Sequence, residues 1–223
     1  MRAHLALPTG SGPRPGVVVL HESFGLNGDI RRLANRFADS GYAALAPDLF
    51  DRPGMRAICI AKTMLSVRTR TGPVFTDIDL AREFLAARPE VIGERIAIAG
   101  FCLGGGFALI AALQGPYRAA APYYGEVAKD IKQLEGVCPV VAGYGGKDKV
   151  FASHGERLER HLTALAVEHD VKIYPEAGHS FMSRHEQTLM VRLAARGPMK
   201  VGYDEAAAED SWRRMLAFFE RHL

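Results

Sequence analysis

Four side chains of the kinds that perform acyl transfer stand far apart in this chain: Glu22, Cys102, Asp148 and His179. A cysteine thiolate attacks a carbonyl carbon, a histidine moves the proton between nucleophile and leaving group, and a carboxylate fixes the histidine tautomer. Cys102 lies in the run RIAIAGFCLGGGFALIAAL, Arg95 to Leu113. A free cysteine in a glycine-rich turn is, on its own, most often buried and inert. Here the stretch before Cys102 reads as a strand, and the stretch after it turns helical at once. Glycines bracket the cysteine, as a sharp strand-to-helix elbow requires, because a side chain at Gly100 or Gly104 would collide with the crossing chain. Gly105 and Gly106 let helix and strand approach closely. In such an elbow the sulfur stands above the sheet edge, over the free N–H groups of a helix N-terminus, which stabilise a thiolate and a developing oxyanion.

The elements that must hold these residues alternate. PGVVVLHE is a continuous apolar run, as in strands buried on both faces. DIRRLANRFADSG follows as an amphipathic helix, with Asp29 as its predicted N-cap and Gly41 at its end. YAALAPDLF reads as a strand, and FTDIDLAREFLAARP as a helix stopped before Pro89. RIAIAG is the third central strand, and RAAAPYYG, CPVVAGYGG and HDVKIYP read as further strands. SHGERLERHLTALAVE is a helix, and DEAAAEDSWRRMLAFFERHL another, with Trp212, Met215, Leu216 and Phe219 on one face. The alternation predicts an α/β fold: a mostly parallel central sheet flanked by helices on both faces, in one domain over residues 1–223. Right-handed crossovers gather the loops that follow the strands at one edge, where ligands bind.

Glu22, Cys102, Asp148 and His179 each follow a predicted strand, so all four are expected at that edge. The chain order of nucleophile, acid and histidine is that of α/β-hydrolase triads. His179 is the expected base and later acid, and Asp148 its orienting carboxylate. Glu22 ends a buried strand, where a carboxylate is costly without a partner. It is expected to contact Cys102 and control its protonation; the alternative is an ion pair with Arg31 or Arg32. The backbone N–H groups of Ser23 and Leu103 are the expected oxyanion hole.

Other chemistries find less support. GFCLGGGF lacks the Lys-Ser/Thr ending of a phosphate-binding loop and does not match G-x-G-x-x-G. His154, His161, His169 and His185 form no metal pair, no cysteine spacing fits a zinc site, and Cys138 before Pro139 reads as core. The chain has 223 residues, 48% of them hydrophobic and 24% charged, with a net charge of +3 spread without basic runs. Nucleic acid is therefore not an expected partner. No run approaches a membrane span, and no signal peptide is read at the N-terminus. Three widely spaced cysteines argue against a disulfide framework, so a reducing cytoplasm is expected. A monomer or small homo-oligomer is the expected state.

Taken together, HESFGLN at 21–27, GFCLGGG at 100–106, YYG at 123–125, GGKDK at 145–149 and AGHSF at 177–181 resemble the dienelactone hydrolase family of α/β-hydrolases, in family order and over most of the chain. The resemblance implies a Cys102–His179–Asp148 triad, a Glu22 that pairs with the cysteine and activates it, and no cofactor. It implies that Tyr123, Tyr124 and Phe181 line the pocket and that small esters or lactones are the substrates. It also implies arginines for a substrate carboxylate: Arg184, one residue later than the family pattern, and one of Arg56, Arg68 and Arg70. A general small carboxylesterase or thioesterase is the nearest alternative. A thiol redox protein or a non-catalytic binding protein on the same fold is the alternative of a different class.

Overall fold

The computed structural model describes residues 1–51, 56–185 and 188–223, and leaves the side chains of 56–59 and 190 undescribed. Cys59 and the Arg56 side chain thus lie outside the described residues. The strands are β1 (Ala3–Ala6), β2 (Arg14–Leu20), β3 (Ala43–Pro47), β4 (Val91–Phe101), β5 (Ala119–Tyr123), β6 (Val140–Gly145) and β7 (His169–Tyr174). They form one sheet in the order β1-β3-β2-β4-β5-β6-β7. Only β1 runs antiparallel to its neighbour; the other pairings are parallel. The helices are α1 (Gly28–Asp39), α2 (Arg56–Thr69), α3 (Pro73–Ala86), α4 (Leu103–Gln114), α5 (Ala152–Ala164), α6 (Leu189–Arg196) and α7 (Glu205–His222), with a 3₁₀ turn at Ile131–Leu134.

The expected α/β architecture is therefore present. The apolar run read from PGVVVLHE is β2, whose Val17, Val18, Val19 and Leu20 are fully buried between layers. The register of β2 on β4 sets Leu20 opposite Gly100, so the segments that leave these two strands start side by side. Trp212, Met215 and Phe219 of α7 are buried as the helical spacing predicted, and Arg36 stacks over the Trp212 ring at 4.4 Å.

Some local readings change. The N-cap of α1 is Asn27, not Asp29: Asn27 Oδ1 accepts the N–H groups of Asp29 and Ile30. Asp29 sits in the first turn, where a carboxylate favours the helix dipole and reaches Arg32 at 2.7 Å. Gly41, at φ 92°, does end the helix region in the left-handed conformation glycine tolerates. Strand β1 and helices α2 and α6 had no counterpart in the sequence reading. Among the described residues, no helix is long and apolar enough to cross a membrane.

Candidate active site

The turn from β4 into α4 holds Cys102. Cys102 caps α4 with φ 54° and ψ −115°, a backbone conformation that costs a non-glycine residue about 1–3 kcal/mol and persists only where the surroundings impose it. They do so through the Cys102 N–H, which donates to the Tyr123 carbonyl at 3.1 Å, and the Cys102 carbonyl, which accepts from Gly105 at 2.9 Å. A Cβ at Gly100 or Gly104 would overlap backbone, that of Gly104 falling on the Leu20 carbonyl. Gly106 has a different reason from the one expected. Its missing side chain makes room for Val67 of α2, whose Cγ2 would lie 2.6 Å from a Cβ there. The glycine run thus seats α4 on the sheet and α2 on α4.

His179 and Asp148 meet beside this turn. His179 Nδ1 lies 2.6 Å from Asp148 Oδ2, and both side chains are buried. The other Asp148 oxygen accepts the N–H groups of Val150 and Phe151, so the carboxylate is locked to the start of α5. The His179 ring lies between Tyr124 and Phe151, with ring centres 5.2 and 5.0 Å away. Its Nε2 is buried and has no conventional hydrogen-bond partner among the described residues. Burial disfavours the imidazolium, but the negative charge of Cys102 and the hydrogen bond with Asp148 outweigh it, and the His179 pKa is pushed up to about 10. Cys138 contrasts with this: burial pushes its thiol up to about 12, as expected of an inert core cysteine.

Glu22 is fully buried, and both oxygens are engaged. Oε1 accepts the Ser183 hydroxyl at 2.9 Å, and Oε2 pairs with His185 Nε2 at 2.9 Å. Among the described residues it makes no hydrogen bond to Cys102. Nor does it pair with Arg31 or Arg32, which turn to His4 and Asp29. Burial opposes its charge, but His185, His179 and Ser183 hold its pKa below the ordinary carboxyl range. Tyr124 extends this group: its hydroxyl lies 3.4 Å from Ser183 Oγ, which spends its own proton on Glu22. His21 fixes the Glu22 backbone. Its Nε2 accepts the Leu49 N–H at 3.0 Å, so Nδ1 carries the proton and donates to the Glu22 carbonyl at 2.6 Å. Sequence reasoning missed Ser183, His185 and His21. The usable signal was the cost of a buried carboxylate, which required partners, and the polar run SRH four to six residues past His179 contained two of them.

A cleft of about 510 Å³ opens over Cys102. Ser23 and Leu103 line it, as do Ala61, Met64, Leu65, Val67 and Arg68 of α2, with Glu126, Phe151 and Met199. The N–H of Leu103 is the first of α4 and so has no intrahelical acceptor. The cleft is mostly apolar, and α2 supplies much of its wall. Three residues expected to line a pocket lie elsewhere. Tyr123 is 1% exposed and donates its hydroxyl to the Ser211 carbonyl. Phe181 is fully buried against Tyr123, Tyr124 and Tyr174. Tyr124 is fully buried beneath His179. Arg184 is exposed, stacks on Tyr203 at 4.7 Å and does not border the cleft. Among the described residues, the arginine that does is Arg68.

Known proteins agree with this architecture. The family model described as the dienelactone hydrolase family matches residues 1–223. A Yersinia pestis protein named "Putative carboxymethylenebutenolidase" is 30% identical, over 99% of this chain and 83% of its own. A Bradyrhizobium protein named "Probable 2-oxo-3-(5-oxofuran-2-ylidene)propanoate lactonase" is 28% identical, over 99% of this chain and 89% of its own. The crystal structure of a Klebsiella pneumoniae protein described as a "Putative Dienelactone Hydrolase" superposes with a TM-score of 0.78 at 28% identity, over 98% of this chain and 92% of that one. The chain belongs to the dienelactone hydrolase family, as an α/β-fold hydrolase acting on esters or lactones.

Proposed function

We propose that Cys102 is the nucleophile, His179 the proton carrier and Asp148 its orienting carboxylate, in a hydrolase that works through an acyl-enzyme. The observation that carries this reading is the buried 2.6 Å His179–Asp148 pair beside a cysteine held at positive φ at the head of α4. The Cys102 sulfur attacks the carbonyl carbon, and the carbonyl electron pair moves onto an oxygen that accepts the N–H groups of Ser23 and Leu103. Collapse of this intermediate breaks the carbon–oxygen bond, and His179 Nε2 gives its proton to the leaving oxygen. A water then passes a proton to His179 and attacks the thioester. The second collapse returns the thiolate and releases the acid. With a lactone the leaving oxygen stays tethered to the acyl group, so one ring-opened acid is released. Glu22 adds negative charge across the site from the His179 imidazolium, and His185 and Ser183 hold it there.

We infer lactones or esters that carry a carboxylate near the scissile bond as substrates. Arg68 on the cleft wall supports this, as do the names of the butenolidase and lactonase relatives. The apolar lining from Met64, Leu65 and Phe151 favours a second reading, a general small-ester or thioester hydrolase. Steady-state turnover of p-nitrophenyl acetate and of a carboxylated dienelactone separates the two, with Cys102→Ala as the control. The lactone is expected to be preferred, and the variant to lose nearly all turnover while retaining its fold. Wild-type rates in Cys102→Ala would overturn the cysteine mechanism.

A further inference from the structure

Behind the cleft lies a second cavity of about 400 Å³, lined among the described residues by four cations: Arg68, Arg70, Lys129 and Arg157. Glu126 is the one carboxylate among its described lining residues. The floor is apolar, from Leu109 and Ile110 of α4. Val67, Arg68 and Glu126 line both this cavity and the cleft over Cys102, so the two spaces share a wall.

Arg70, Arg157 and His154 are held by hydrogen bonds to the backbone. Arg70 follows α2 with φ 57°, a left-handed conformation unfavourable for a side chain of its kind, and its guanidinium donates to the Gln133 carbonyl at 2.9 Å. Arg157 donates to the Val127 carbonyl at 3.0 Å. A guanidinium has five N–H donors, so each keeps most of its capacity for a ligand. His154 accepts the Val127 N–H on Nδ1 at 2.9 Å, so in its neutral form Nε2 carries the proton and adds a donor to the lining. Burial and the neighbouring Arg157 lower the His154 pKa, which favours the neutral ring. The mechanism uses none of Arg70, Lys129, His154 or Arg157.

We propose that this cavity is an oxyanion subsite, which holds a carboxylate or phosphate at the far end of a substrate whose ester or lactone group lies at Cys102. The proposal rests on the hydrolase reading above. Arg68, in the shared wall, serves an acid group close to the scissile bond; Arg70, Arg157 and Lys129 serve one that reaches past it. Anchored guanidiniums favour such a group, because bidentate charge-assisted hydrogen bonds form without further loss of side-chain freedom.

The test uses p-nitrophenyl monoesters of dicarboxylic acids of increasing length, each beside a neutral ester of equal length. In the wild type, KM for the long acidic esters is expected to lie about tenfold or more below that of their neutral partners. The double variant Arg70→Gln with Arg157→Gln should abolish that preference and leave p-nitrophenyl acetate turnover unchanged. Arg157→Lys, which keeps the charge, should restore part of it. Inorganic phosphate should compete with long acidic esters and not with p-nitrophenyl acetate. Equal KM values for acidic and neutral long esters in the wild type would overturn the proposal and leave the hydrolase reading intact. So would phosphate binding, seen by calorimetry, that leaves the KM of long acidic esters unaffected; the cavity would then be an independent anion site. Were no ester turned over at all, the hydrolase reading would fail and the tail-binding proposal with it.

Discussion

Replacing Glu22 with glutamine isolates the buried Glu22–His185 pair. The side chains of Glu22 and His185 are 3% and 6% exposed. Removing one partner of a buried ion pair costs about 3–5 kcal/mol. Two features reduce that here. Glutamine still accepts the Ser183 hydroxyl, and His185 can shed its proton when its counter-charge is gone. The remaining cost is about 1–2 kcal/mol near pH 6, the size of one good charge-assisted hydrogen bond. For a chain of this length that is about 2–8 °C in Tm. Its pH dependence has a definite sign. The folded pKa of Glu22 is lowered, so its contribution is present above 4.5 and is lost as pH falls through the depressed value. The folded pKa of His185 is raised: burial opposes the charge, and the hydrogen bond and charge of Glu22 overcome it. Its contribution is present below 6.5 and fades as pH rises through the raised value. Scanning calorimetry of wild type and Glu22→Gln from about pH 5 to about pH 9 should therefore show a Tm deficit that is largest near pH 6 and shrinks on the alkaline side. A deficit that stays constant across this range would refute the pairing.

Asp148→Asn should lower kcat about 10²- to 10⁴-fold with little change in KM, because the amide favours the wrong His179 tautomer; steady-state kinetics on any turned-over ester reads this. The His179 contribution to stability should be complete below pH 6.5 and be lost as pH rises through about 10, and alkaline unfolding curves check it. Cys102→Ala removes the charge that sustains the imidazolium, so NMR titration should find the ring deprotonating at lower pH than in the wild type. Tyr123→Phe should cost about 1 kcal/mol of stability, from the lost Ser211 hydrogen bond, and leave kcat unaltered; a changed kcat would return Tyr123 to the pocket. Arg184→Gln should leave KM for acidic esters unchanged, since the side chain stacks on Tyr203 away from the cleft.

The legible parts of the molecule were those governed by one dominant force. β2 is a run of valines and leucine buried on both faces, and such a run has few other uses in a chain with this alternation. Cys102, Asp148 and His179 could be placed at one edge because each follows a strand of a parallel sheet, a rule that needs no side-chain detail. Strand β1 is only four residues, AHLA, and finds its place by pairing with β3. Helix α2 hides because it serves two masters. Val67 packs toward Gly106, while Met64 and Leu65 remain 48% and 58% exposed at the cleft, so its apolar residues make no single stripe. The Glu22 pairing was beyond reach for a different reason. Ser183 is 161 residues away, and the meeting depends on how the His179 loop folds back.

That loop is stapled from downstream. The His179 N–H donates to the Met199 carbonyl, the His179 carbonyl accepts from Gly202, and the Phe181 carbonyl accepts from Asp204. Protein synthesis delivers these clamps late, after every strand of the sheet. The seat of His179 is therefore set by the loop that leads into α7, not only by the strand that precedes the histidine, so a change in residues 199–204 reaches the ring through the backbone without touching the cleft wall opposite.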